Sequence, residues 1–117
     1  MTHAHELTGP FQPGNMVLVT LGAPREKFWG AILAVSAAGL SLRRMELASF
    51  EDCVAMIKAG ETLSYATVFF PMHRVERMEL DMPAGSIPSL SERFAAQTGV
   101  DPRTALMQEP AAGVPTA

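Results

Sequence analysis

The sharpest chemical pattern in this chain of 117 residues is a set of basic and aromatic side chains. Arg43 and Arg44 are adjacent, His73, Arg74 and Arg77 follow one another closely, and Tyr65 lies between the two groups. A guanidinium grips a phosphate through two parallel N–H donors, while Tyr and His rings stack on the bases of a single strand. If the segments that carry them run side by side, Arg43, Arg44, Tyr65, His73, Arg74 and Arg77 form one patch suited to RNA. A plainer role competes with this one. Charged residues on strands keep a surface soluble and its sheet edges unpaired, and Glu46, Glu76 and Glu79 offer charges to neutralise. The plainer role is the stronger expectation.

The other reactive residues lead nowhere catalytic. Cys53 is the sole thiol, and a nucleophilic cysteine needs a base beside it. His73 is the one histidine of the central region, and no recognisable signature surrounds Cys53, so packing beside an apolar stripe is its expected role. His3, His5 and Glu6 have the spacing of a chelate but sit in a lead-in with no framework to hold them. Glu51 and Asp52 belong at a helix start, and Glu76 and Glu79 are placed to pair with Arg43 or Arg44 across strands. Gly22 and Gly30, separated by Pro24, do not make a phosphate-cradling loop. No catalytic residue, metal or cofactor is expected, and the chain does not read as an enzyme.

Composition sets the frame for these residues. Apolar residues make up 48% and charged residues 18%, the balance of one globular domain. Net charge is −3, from 9 basic and 12 acidic residues, so only a local patch could draw a nucleic acid. From 16 to 80 there are seven charges of each sign, and the acidic excess lies outside that stretch. A single cysteine excludes an internal disulfide and a multi-cysteine zinc site. No apolar run reaches the roughly 18 residues of a membrane span. The first residues also lack the basic and apolar blocks of a signal peptide. A cytoplasmic protein with no membrane partner is expected.

The elements that must position these side chains are mostly strands. Met16–Leu21 is a first strand closed by Gly22, Ala23 and Pro24. Residues 28–36 are apolar on both faces, which predicts a strand covered on both sides, with Gly30 marking a bend or close approach. Ala37, Ala38 and Gly39 supply a hairpin in which Gly39 is free to take positive φ. Residues 40–45 return, with Leu40 and Leu42 facing one way and Ser41 and Arg43 the other. Ser49 reads as the N-cap of a helix over 50–59 with Phe50, Val54 and Ile57 as its apolar stripe and Gly60 as its stop.

Residues 65–70 are a fourth strand ended by Pro71. Met72 and Val75 are three apart, so 71–75 reads as one helical turn. Met78, Leu80 and Met82 then alternate with charged residues as a half-buried fifth strand. Beyond a linker at 83–88, Ser89 and Glu92 form a capping box for a helix bearing Leu90 and Phe94 and stopped by Gly99. Asp101 and Pro102 open a last helix to about Met107. Trp29 is expected in a core or an interface. Met45, Met56, Met72, Met78 and Met82 are expected to fill gaps in the core.

Short strands, a bent second strand and one helical turn between strands four and five describe a small SH3-like barrel. The run 16–82 resembles the Sm-like family, including its bacterial Hfq type. The resemblance rests on 17–21 as first strand, Phe28, Trp29 and Gly30 at the bend, and Gly39 in the next turn. It also rests on Phe69, Phe70, Pro71, Met72, His73, Arg74 and Val75 before the last strand, where His73 matches the histidine of the family's Tyr-Lys-His-x-Ile stretch. Departures are specific. Met72 replaces the lysine before that histidine, a Pro/Gly lead-in replaces the first helix, and the Asp and Asn of the uridine loop have no counterpart in Ser36, Ala37, Ala38 and Gly39. The Arg-Gly pair of the later loop is missing too. The same four residues resemble the Ser-x-x-Gly part of a PilZ motif, although Ala34 stands where its Asp or Asn would be.

The expected fold is mainly β with helices: a five-stranded SH3/Sm-like barrel over 15–82, with a helix inserted between strands three and four. A flexible segment over 1–14, a linker with C-terminal helices over 83–108 and a flexible tail over 109–117 complete it. The expected function is a non-enzymatic interaction module, forming a homo-oligomer or binding a protein partner. The alternative implied by the resemblance is a ring-forming RNA binder that uses His73, Arg74, Arg77, Arg43, Arg44 and Tyr65. In Sm-like rings, strand four of one copy meets strand five of the next.

Overall fold

Phe28 and Trp29 are neighbours in sequence, yet they belong to two different cores. In the computed structural model, which describes residues 9–62 and 65–107, one antiparallel sheet separates those cores. Its strands are β1 (Met16–Leu21), β2 (Glu26–Val35), β3 (Gly39–Glu46), β4 (Ala66–Pro71) and β5 (Val75–Leu80). They lie in the order β4-β3-β2-β1-β5. Helix α1 (Phe50–Lys58) stands between β3 and β4, and α2 (Leu90–Thr98) and α3 (Pro102–Met107) follow β5. The chain is mainly β with helices. The His3, His5 and Glu6 spacing and the tail over 109–117 lie outside the described residues.

On one face Met16, Trp29, Ala31 and Met45 meet Phe50 and Val54 of α1, Phe94 of α2 and Leu106 of α3. The Trp29 ring centre lies 5.3 Å from that of Phe50 and 5.6 Å from that of Phe94. Burying each large side chain here contributes about 1.5–3 kcal/mol. The C-terminal helices therefore dock on the chain's own sheet, and Leu90 and Phe94 find their cover there. On the other face Val17, Val19, Leu21, Phe28, Ile32, Leu40 and Leu42 pack together. Val68 and Phe70 of β4 and Val75, Met78 and Leu80 of β5 reach that same cluster from opposite ends of the strand order. The sheet is rolled around it. It is not closed into a barrel, because closure needs a ladder between β4 and β5 and the two stand as its edges.

Two glycines permit this curvature. A Cβ on Gly30 would lie 2.3 Å from the Arg43 carbonyl oxygen, so β2 and β3 approach only where a side chain is missing. Gly39 departs from expectation: it does not take positive φ. Ser36 and Gly39 exchange backbone bonds of 2.9 and 3.2 Å around Ala37 and Ala38. Glycine is needed at 39 for room, since a Cβ would lie 2.3 Å from the Phe70 carbonyl oxygen and 2.5 Å from the Phe69 ring.

Three local expectations shift. Ser49 makes no capping bond, because Leu47–Ser49 is a 3-10 turn that runs straight into α1 and leaves Ser49 compact at φ −96 and ψ 6. An N-cap needs extended backbone. Glu51 and Asp52 still stand in the first turn against the helix dipole. Strand β5 starts at Val75, directly after the 3-10 turn Met72–Arg74, and ends at Leu80. Met82 lies past it and is 64% exposed, with Pro83, which has no N–H for a ladder, closing off the strand.

The capping box at α2 forms: Ser89 Oγ accepts from the Glu92 amide at 3.0 Å, and Glu92 Oε1 accepts from the Ser89 amide at 3.0 Å. Among the described residues, no helix is long and apolar enough to cross a membrane.

Candidate functional site

Two strands separate the residues that would have to form one basic patch. Arg43 and Arg44 lie on β3 and Arg77 on β5, with β2 and β1 between them. The expected pairs of Arg43 or Arg44 with Glu76 or Glu79 do not form for the same reason. Arg77 instead pairs along its own strand with Glu79 at 2.7 Å, in water on the surface.

Each of the other residues has its own place. Arg43 donates from Nη1 to the Leu106 carbonyl at 3.1 Å and lies over the Tyr65 ring at 5.5 Å. Tyr65 in turn donates from its hydroxyl to the Ala105 carbonyl at 2.7 Å, so Arg43 and Tyr65 come together as fasteners for α3. Arg44 points to the opposite face, its guanidinium 4.6 Å from the Phe28 ring centre, with a buried Nε that has no hydrogen-bond partner among the described residues. Such a stacked cation contributes about 0.5–2 kcal/mol. Arg74 donates from Nε to the Gly22 carbonyl at 2.9 Å and from Nη2 to Glu26 at 3.1 Å, bracing the β1–β2 turn. His73 is exposed beside it on the turn between β4 and β5.

The two edges of the sheet are chemically unlike. Met72 N–H donates to the Ala38 carbonyl at 2.9 Å, and Pro71 stands opposite Gly39. Hydrogen-bonded pairs alternate in an antiparallel ladder, so Phe70, Val68 and Ala66 direct their amides to β3. Thr67 and Phe69 then direct theirs outward, and the missing N–H of Pro71 falls on that free side, where a strand tolerates proline. No residue from Ala66 to Pro71 is charged, and Phe69 is 54% exposed. The opposite edge carries Glu76, Arg77 and Glu79, charges of the kind that keep an edge strand single. Among the described residues no strand pairs with the outer edge of β4, and this uncharged edge is the surface best built to bind something.

Asp81 has no warning in the sequence beyond its place after an alternating strand. Its Oδ2 accepts from Trp29 Nε1 at 2.9 Å, from the Ser91 amide at 2.8 Å and from Ser91 Oγ at 2.6 Å. Its Oδ1 accepts from the Leu90 amide at 3.0 Å. A cleft of about 260 Å³ opens beside it between Asn15, Asp101 and Arg103. Four donors already occupy the carboxylate, so its work is to hold α2 against the sheet.

Cys53 packs against the core beside Val54. Burial pushes its thiol above the usual range, and the negative charge of Asp52 adds to the effect. Both disfavour the thiolate that a nucleophile needs. Ser36, which opens the PilZ-like stretch, accepts the Ala38 amide within its own turn at 3.2 Å. No protein-family model, curated protein or solved structure matches this chain. The geometry of its own edges and cores therefore supplies the functional reading.

Proposed function

We propose that the chain is a non-enzymatic interaction module of Sm/SH3-like build that associates with itself through the free edge of β4. The rolled five-stranded sheet, the Gly30 close approach and the helical turn before β5 support that build. The outward amides of Thr67 and Phe69, on a strand that carries no charged side chain of its own, carry the functional part. Such an edge gains main-chain hydrogen bonds when a further strand is added to it. Arg43 and Arg74 fit the same reading, since both are engaged with backbone carbonyls that hold the fold.

One observation favours a second reading, a ring that binds RNA in the Sm-like manner. Edges β4 and β5 stand at opposite ends of the sheet, as head-to-tail closure of a ring requires. Exposed His73 lies on the turn between them and would repeat around that ring, with Arg74, Arg77, Arg43, Arg44 and Tyr65 in each copy.

Light scattering on the purified full chain, with its 260/280 nm absorbance ratio, tests both. An oligomer free of nucleic acid supports the module. Co-purifying RNA, with an affinity whose salt slope falls in Arg77→Ala, moves the assignment to the ring. A monomer at every concentration overturns self-association.

A further inference from the structure

We infer that the strand received by the β4 edge is the β4 of a second copy, running antiparallel across a twofold axis centred on Val68. This rests on the edge-pairing reading above and names the partner for it. The outward amides alternate at Thr67 and Phe69, two positions apart, which makes the edge complementary to itself. An axis at Val68 sets Thr67 opposite Phe69 of the second copy, twice, and each such pair exchanges two N–H···O bonds.

Neighbouring registers do worse. Moving the axis to Phe69 sets Pro71 opposite Thr67, and proline has no N–H to give. Moving it to Thr67 sets Phe69 opposite Tyr65, which precedes the strand and is held by its bond to Ala105.

Charge points the same way. The chain carries −3, so two copies meet at least electrostatic cost where like charges are kept apart. From Ala66 to Pro71 nothing is charged, and across this axis no charged side chain of the strand faces another. Docking β4 on β5 of a neighbour would instead bring Glu76, Arg77 and Glu79 against the half-exposed Phe69 ring. The ladder of β5 with β1 is also irregular near Thr20 and Leu21, a device that spoils an edge for further pairing. On the twofold model each Phe69 lies beside Thr67 of the other copy, and both rings gain cover on the same face of a continuous sheet of two copies.

The test uses the full chain. Sedimentation is expected to give twice 12.6 kDa, falling to the monomer on dilution. Thr67→Pro removes an outward amide while leaving the ladder to β3 intact, and is expected to raise the dissociation constant at least tenfold without altering the far-ultraviolet spectrum. Phe69→Glu, at a side chain already half exposed, is expected to do the same by adding like charge. Val68→Cys, made with Cys53→Ala, places two thiols in a non-hydrogen-bonded pair whose Cα atoms stand about 4.5 Å apart, within disulfide reach. Mild oxidation is expected to yield a covalent dimer.

An oligomer that Thr67→Pro dissociates, but that Val68→Cys does not cross-link, overturns the twofold partner and leaves edge pairing standing. An oligomer indifferent to both Thr67→Pro and Phe69→Glu overturns edge pairing itself.

Discussion

Trp29 and Asp81, 52 positions apart, are joined by a 2.9 Å hydrogen bond from the indole nitrogen to the carboxylate. The same carboxylate accepts the first amides of α2. The middle of β2, the end of β5 and the start of a helix are thus fastened at one side chain, whose charge also complements the helix dipole.

Asp81→Ala is expected to cost about 2–4 kcal/mol in urea unfolding, because the indole and two helix amides lose their acceptor together. Emission from Trp29 should shift to the red as α2 loosens. Asp81→Asn keeps one acceptor but turns an NH2 toward donors, and should fall between the two proteins. A loss within about 0.5 kcal/mol, the range of an ordinary surface change, would show that the helix holds without this fastening.

Gly30→Ala and Gly39→Ala should each lose about 1–3 kcal/mol, the range for overpacking, because the added Cβ meets backbone at 2.3 Å in both places. Gly60, at φ +87 with nothing within 4 Å, separates conformation from crowding. Gly60→Ala should cost only about 1–2 kcal/mol of left-handed strain. Thermal unfolding of the three variants, compared at one pH, gives the ranking.

Arg74→Ala and Arg77→Ala should diverge although both remove an arginine from an ion pair. Arg74 also holds the Gly22 carbonyl, and about 1–2 kcal/mol is expected to go with it. The Arg77–Glu79 pair is exposed on both sides, so its loss should stay near zero to 1 kcal/mol. Denaturation midpoints at low and high salt check this, since screening weakens both surface ion pairs and leaves the part-buried bond of Arg74 to the Gly22 carbonyl.

Cys53 should alkylate more slowly than a free thiol at neutral pH and accelerate as pH rises, since burial first and Asp52 second hold the proton on. The folded state then binds that proton more tightly than the unfolded chain. Its stabilising contribution is full below the ordinary thiol range and is lost as pH climbs through the raised value. A rate at pH 7 equal to that of the unfolded chain would contradict the burial.

What the sequence makes legible here is local. Ser89 with Glu92, the Phe50, Val54 and Ile57 stripe, and Pro71 at the end of β4 each declare themselves within a few positions, and each is found in place. Ser49 misleads because a cap and the last residue of a 3-10 turn look alike in one dimension. Gly39 misleads because room and positive φ both call for glycine, and only the partner strand tells which. The arginine patch depended on where β5 lands. Its place beside β1, with β1 and β2 between it and β3, goes with the packing of Met78 and Leu80 into the core, a long-range contact that no arginine spacing announces. The β4 edge was half legible, through its lack of charge and its proline.

The two-sided sheet has a consequence for how the chain finds its shape. A slip of β2 by one residue would carry the Trp29 indole into the space fitted to Phe28 and push Ile32 toward α2, spoiling both interiors at once. Near-miss threadings thus lose on two fronts, with no half-correct arrangement to linger in. Folding errors of this kind should be brief, and the protein should melt in one step rather than shed its helices and strands in turn.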